Sequence, residues 1–115
     1  MNANAIVSDH SFIVGGVVPT NGEELVIRAD METINVFISG DATSSTCVFE
    51  GKGIDGKWYE VKGANLTTLD IATQTTSINQ VWQFDLLAWV SFRVRVSALT
   101  VTGAKQITIM GRVVN

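Results

Sequence analysis

The stretch Val81-Trp-Gln-Phe-Asp-Leu-Leu-Ala-Trp-Val-Ser-Phe-Arg-Val-Arg-Val-Ser-Ala98 decides the fold class. In its second half Phe92, Val94, Val96 and Ala98 share one parity, and Arg93, Arg95 and Ser97 share the other. A strand turns successive side chains to opposite faces, so this spacing predicts one buried and one wet face. The first half repeats the pattern with Trp82, Phe84 and Leu86. We read residues 78–85 and 91–98 as strands, 86–90 as a bend, and the two strands as the central pair of an all-β domain.

Working outward, Thr33-Ile-Asn-Val-Phe-Ile-Ser39 alternates as cleanly, with Ile34, Val36 and Ile38 inward and the aromatic Phe37 on the face that should be wet. Lys105–Val114 places Ile107, Ile109, Gly111 and Val113 on one face and Thr108, Met110, Arg112 and Val114 on the other. Between Thr46–Lys52 and Lys57–Lys62 lies Gly53-Ile-Asp-Gly56, and Asp-Gly between two β-rich runs predicts a hairpin with a type I′ tip. Residues 4–8 and 11–18 read as one or two strands, interrupted by Gly15-Gly16 as a bulge would interrupt them. Pro19–Gly22 has turn chemistry, Glu24–Arg28 is a short strand, and Asp30–Glu32 is a polar connection. Residues 63–77 are threonine-rich and weakly patterned, a long loop with an edge strand at 69–73. No segment carries a helical period. The chain therefore predicts a single-domain antiparallel β-sandwich, jelly-roll-like, over residues 1–115, with 1–18 as an arm or edge strand.

Composition bounds the function. The chain has 115 residues, net charge −3 and few dispersed cations, which argues against nucleic acid as a partner. Charged residues are 17% of the total, below the usual share of about 25%. Two readings follow: surface buried against other subunits, or a monomer surfaced with Thr, Ser and Asn. Residues 1–10 place no positive charge before their apolar residues, a poor secretory signal, and residues 12–18 are too short to span a bilayer. The expectation is synthesis in the cytoplasm and no membrane partner.

Chemistry-bearing residues are sparse. There is one histidine, His10, and one cysteine, Cys47, too few for a zinc site and unsupported by spacing as a dyad. Cys47 sits in a strand and reads as a buried thiol. No alternating carboxylate loop appears for calcium, and no phosphate loop opens a helix. The expectation is no enzyme, no metal and no cofactor. Arg93 and Arg95, with Arg112, form either a cationic patch or ordinary ion pairs with Asp85, Glu50 or Glu60. Trp58, Tyr59 and Trp89 form either a ligand platform or part of the packing, while Trp82 reads as core. Phe37, Met110 and Val114, apolar residues on outward faces, are the candidate subunit interface.

One longer pattern joins these pieces. Phe49-Glu-Gly-Lys-Gly-Ile-Asp-Gly-Lys-Trp-Tyr-Glu-Val61, a threonine-rich loop, and then residues 82–98 resemble small β-sandwich proteins of tailed bacteriophages and prophages. In these a Glu-x-Ser-x-Asp-Gly-x-x-Trp hairpin precedes an Asp…Arg-Val-Arg-Val strand. The match covers residues 46–114. Gly51 or Gly53 stands where the family often has Ser or Asn, and Ala88-Trp89 where it often has a Gly-aromatic bend, so no ligand residue is carried over. The resemblance implies a tail, baseplate or head-surface component whose partners are itself, as a homo-oligomer, and other virion proteins. The same order of hairpin and Arg strand occurs in jelly-roll carbohydrate-binding domains, which leaves a receptor- or carbohydrate-binding module as the alternative.

Overall fold

A computed structural model describes residues 7–114. The expected strand at 4–8 and arm at 1–18 therefore fall partly outside the described residues. Among the described residues eleven strands run in chain order: β1 Val7–Gly16, β2 Leu25–Val26, β3 Thr33–Gly40, β4 Ser44–Lys52, β5 Trp58–Glu60, β6 Gly63–Asn65, β7 Ile71–Ala72, β8 Gln74–Thr75, β9 Gln80–Asp85, β10 Ser91–Thr100 and β11 Ile107–Val114. They form two antiparallel sheets. The six-stranded sheet has the order β1-β11-β3-β9-β6-β7, and the five-stranded sheet the order β2-β10-β4-β5, with β8 also pairing β4.

The alternation in each run becomes the core. Ile34, Val36 and Ile38 of β3, Ile107, Ile109 and Val113 of β11, and Trp82 and Phe84 of β9 face Phe49 of β4 and Phe92, Val94 and Val96 of β10. A chain of rings crosses between the sheets. Phe49 lies 5.2 Å from Trp82 and 4.5 Å from Phe84, Phe84 lies 5.0 Å from Phe92, and Phe92 lies 5.8 Å from Phe12. Tilted and edge-on pairs at these separations add to simple burial.

Several expectations are corrected. β9 and β10 are not partners: each is interior to a different sheet, and the bend at 86–90 carries the chain from one sheet to the other. The inward parity of β10 stops at Val96. A register shift between Val96 and Ala98 turns Ala98 outward and lets Leu99 pack against the core. A bulge adds one residue to one strand and so reverses its phase. The same device in β1, between Ser11 and Ile13, buries both Phe12 and Ile13.

The hairpin at residues 53–57 exists but is not type I′, which would need positive φ at Asp55 and Gly56 together. Only Gly56 is positive, at 80°. The Gly56 N–H bonds to Gly53 O and the Gly53 N–H to Lys57 O, which is a type I turn closed by a left-handed glycine. Met31, in the connection read as polar, is buried, and the Arg28 N–H points at its sulfur. Residues 63–77, read as a loop with one edge strand, instead supply β6 and β7 to one sheet and β8 to the other.

Candidate functional site

The outward face of the six-stranded sheet carries the candidate interface. Register places Met110 opposite Phe37 and Phe37 opposite Val81, while the Leu66 N–H bonds to Val81 O and continues the row onto the end of β6. Met110, Phe37, Val81 and Leu66 thus lie side by side across three strands and the residue that follows β6. Phe37, Met110 and Leu66 keep 43%, 39% and 42% of their surface in water. Val114, the third expected member, is separated from Met110 by Arg112 and sits beside Val7 instead. Sequence reading missed Val81 and Leu66. The signal for Val81 was present, because it has the opposite parity to the inward Trp82 and Phe84.

A polar row runs alongside. Arg112 grips Asp9 with both Nε and Nη2, at 2.8 and 3.0 Å, and the Gln83 amide donates to Asn35 Oδ1 at 3.2 Å. The guanidinium beside Asp9 holds its carboxyl below the usual carboxylate value, chiefly through the hydrogen bond. Asp9, Arg112, Phe37 and Met110 rim a shallow depression of about 250 Å³.

The remaining candidates lie on the five-stranded sheet. Arg93 Nε reaches Glu50 Oε1 at 2.8 Å and Arg95 Nε reaches Oε2 at 3.1 Å. One nearly buried carboxylate thus holds two arginines, the ion-pair reading of this pair of strands. Arg112 is on the other sheet and takes no part. Trp58 lies beneath the Arg93 guanidinium at 4.0 Å, a cation–π contact. Tyr59, its neighbour, must point to the opposite face. It pairs with Gly51 and lies 6.2 Å from Trp89. A Cβ at Gly51 would sit 2.4 Å from the Trp89 ring, so this glycine makes the room in which Trp89 packs. The three aromatics therefore divide between two surfaces, Trp58 on one and Tyr59 with Trp89 on the other.

His10 accepts or donates nothing to Cys47. Its Nε2 faces Glu23 O at 3.0 Å and its ring stands edge-on to Phe12 at 4.6 Å. Cys47 lies in the other sheet, fully buried, and burial pushes its thiol up to about 11. At neutral pH it is a protonated thiol packed as an apolar group. Among the described residues no three His, Cys, Asp or Glu side chains gather as metal ligands.

Comparison with known proteins adds the lineage. The XepA family model matches residues 7–113. The chain is 32% identical over 97 residues to the SPbeta prophage-derived uncharacterized protein YomS of Bacillus subtilis (strain 168), over 84% of this chain and 78% of that protein. The crystal structure of SPBc2 prophage-derived protein YomS superposes with a TM-score of 0.91 at 24% identity, over 100% of this chain and 98% of that one. The crystal structure of PBSX exported protein XepA gives the same TM-score of 0.91 at 19% identity, and this chain spans 40% of its length. At these identities the two structural likenesses establish the sandwich and nothing finer.

Proposed function

The chain belongs to the XepA family, and on that premise we propose that it is a phage or prophage structural protein that works by assembly and not by catalysis. The outward face of its six-stranded sheet seats against a second copy, and other virion proteins complete the particle. It is made in the host cytoplasm and carried in the virion. The prophage origin of its relative YomS supports the setting.

The observation that carries the reading is the row of Met110, Phe37, Val81 and Leu66. Single exposed apolar residues are ordinary, but a contiguous row across a regular sheet is what an interface core requires. Burying apolar area is favourable by about 25 cal/mol per Å², and a flat sheet face offers that area without rearrangement. The adjacent Asp9–Arg112 pair carries both signs, so two copies related by a two-fold axis could meet with charges matched, as an isologous contact needs. The test of the virion assignment is quantitative mass spectrometry of purified, nuclease-treated particles from an induced host. The expected result is this chain at a fixed ratio to the recognised structural proteins. Its presence in the lysate and absence from particles would overturn the assignment.

A further inference from the structure

Where the two sheets part at one edge, a polar cleft of about 310 Å³ opens between β6, β7, β8 and the start of β9. That volume is at the small end of the range for ligand pockets, about 300–1,000 Å³. Several of the side chains that line it are held by hydrogen bonds that engage one end and leave the other over.

Asn65 is the clearest case. It is 2% exposed, and its Oδ1 accepts from the N–H groups of Thr67 and Thr68 at 2.8 and 3.2 Å. Those two bonds determine which end is oxygen, so the amide NH₂ must face away from the loop. The Nδ2 atom has no hydrogen-bond partner among the described residues. Asn65 is one of the residues that line the cleft, and its NH₂ is the part of the side chain left without a bond.

Gln80 repeats the arrangement. Its Oε1 accepts from Thr75 Oγ1 at 3.0 Å and from the Trp82 indole N–H at 3.1 Å, which leaves its NH₂ over. Asp70 accepts from Thr68 Oγ1 with Oδ2 only, leaving Oδ1. Gln74, exposed at the rim, has no side-chain bond among the described residues and offers both a donor and an acceptor. Leu69 and Asn79, the only non-glycine residues with positive φ among those described, at 65° and 59°, lie between pairs of lining residues. A leucine in that region costs about 1–2 kcal/mol, and such outliers gather at functional sites.

We infer that this cleft binds one residue of a neutral carbohydrate. The chemistry selects the class. Two oriented donors, a carboxylate acceptor and an adaptable amide match hydroxyl groups, each of which both donates and accepts. Among the described residues no Lys or Arg lines the cleft, and Asp70 is its one ionisable group, so a phosphate or carboxylate ligand would meet repulsion and no counter-charge. A site built to hydrogen-bond hydroxyls rejects ligands that leave its buried donors unpaired. The inference goes beyond the assembly reading and does not depend on it, because the cleft lies at the sheets' edge and not on the apolar face.

The experiment is a ¹H–¹⁵N titration of the full chain with glucose, galactose, N-acetylglucosamine and, as the charged counterpart, glucuronic acid. The expected result is that at least one neutral sugar, at millimolar concentration, shifts the NH₂ signals of Asn65, Gln74 and Gln80 and the Trp82 indole N–H. The hairpin tip around Gly56 should stay unmoved. Asn65→Asp keeps the acceptor for Thr67 and Thr68 and removes the donor, so affinity should fall tenfold or more. Gln74→Ala, at an exposed position, should weaken binding severalfold with the fold intact. Silence from all three neutral sugars, stronger binding of glucuronic acid, or unchanged affinity in both variants would each overturn the inference.

Discussion

Replacing Gly63 by alanine should drive a wedge into the core and be relieved by shortening Phe84. A Cβ built on Gly63 lies 2.1, 2.5 and 2.7 Å from Phe84 Cε2, Cζ and Cδ2. The ring cannot swing aside, because Phe49 stands 4.5 Å away on one flank and Phe92 5.0 Å away on another. Overpacking of this kind costs about 1–3 kcal/mol. A chain of 115 residues unfolds with an entropy of roughly 0.24 kcal/mol/K, taking about 2.1 cal/mol/K per residue, so the melting temperature should drop by about 4–12 °C. Phe84→Leu removes Cε2 and Cζ, the two nearest colliding atoms, and destabilises by itself through lost burial. The double variant should therefore be more stable than the sum of the two single losses by about 1–3 kcal/mol, a coupling read from urea denaturation of all four proteins. Strict additivity, within about 0.5 kcal/mol, would mean that Gly63 and Phe84 do not oppose each other and would refute the packing argument. The position matters beyond stability. β6 pairs with β9 through Ala64 and Asn65, directly after Gly63, and so carries Asn65 to the polar cleft.

Other outcomes follow from the same geometry. Glu50→Gln leaves Arg93 and Arg95 side by side without their shared carboxylate. It should cost about 2–3 kcal/mol in urea denaturation, below the range for fully buried pairs because Arg95 keeps a third of its side chain in water. Gly56→Ala should cost about 1–2 kcal/mol from backbone alone, since φ is 80° and nothing lies within 4 Å of the added Cβ; an unchanged melting temperature would count against the turn assignment. The Tyr59 hydroxyl, with help from the Lys57 N–H, holds Asp55 below its ordinary value of 3.8. A depressed carboxylate contributes stability that is present above its unfolded value and lost as pH falls through the folded one. Tyr59→Phe should therefore move the Asp55 carboxyl titration upward by NMR, and an unmoved midpoint would remove that hydrogen bond from the account.

The alternation of β3, β11 and the first half of β10 was legible because each is a regular strand with one face on the core. Ile34, Val36, Ile38, Phe92, Val94, Val96, Ile107 and Ile109 are all buried as their parity requires. Legibility failed where an extra residue shifts the phase. Phe12 and Ile13 are adjacent and both inward, and Ala98 is outward, each beside a bulge that no local propensity announces. The separation of β9 from β10 was also invisible, since five bend residues suit a hairpin as well as a crossing between sheets. Of the candidate interface, Phe37 and Met110 could be named from parity alone. That they touch across β3 and β11 is a matter of register, and register between distant strands is not written in either strand. The polar cleft left no trace, because its donors lie on short strands and turns with no period. The lone carboxylate and amides become a site only when Oδ1 of Asn65 and Oε1 of Gln80 are seen to be engaged.

The most direct test of assembly through the six-stranded sheet is sedimentation velocity of the purified chain at micromolar concentration, run beside Phe37→Asp. The account predicts a wild type that sediments as a homo-oligomer and dissociates on dilution. The variant should be monomeric with unchanged circular dichroism, because an unpaired carboxylate at the centre of the Met110–Phe37–Val81 row would be buried by association. A wild type that remains a monomer across the concentration range, or a Phe37→Asp variant that associates as tightly as the wild type, would contradict it.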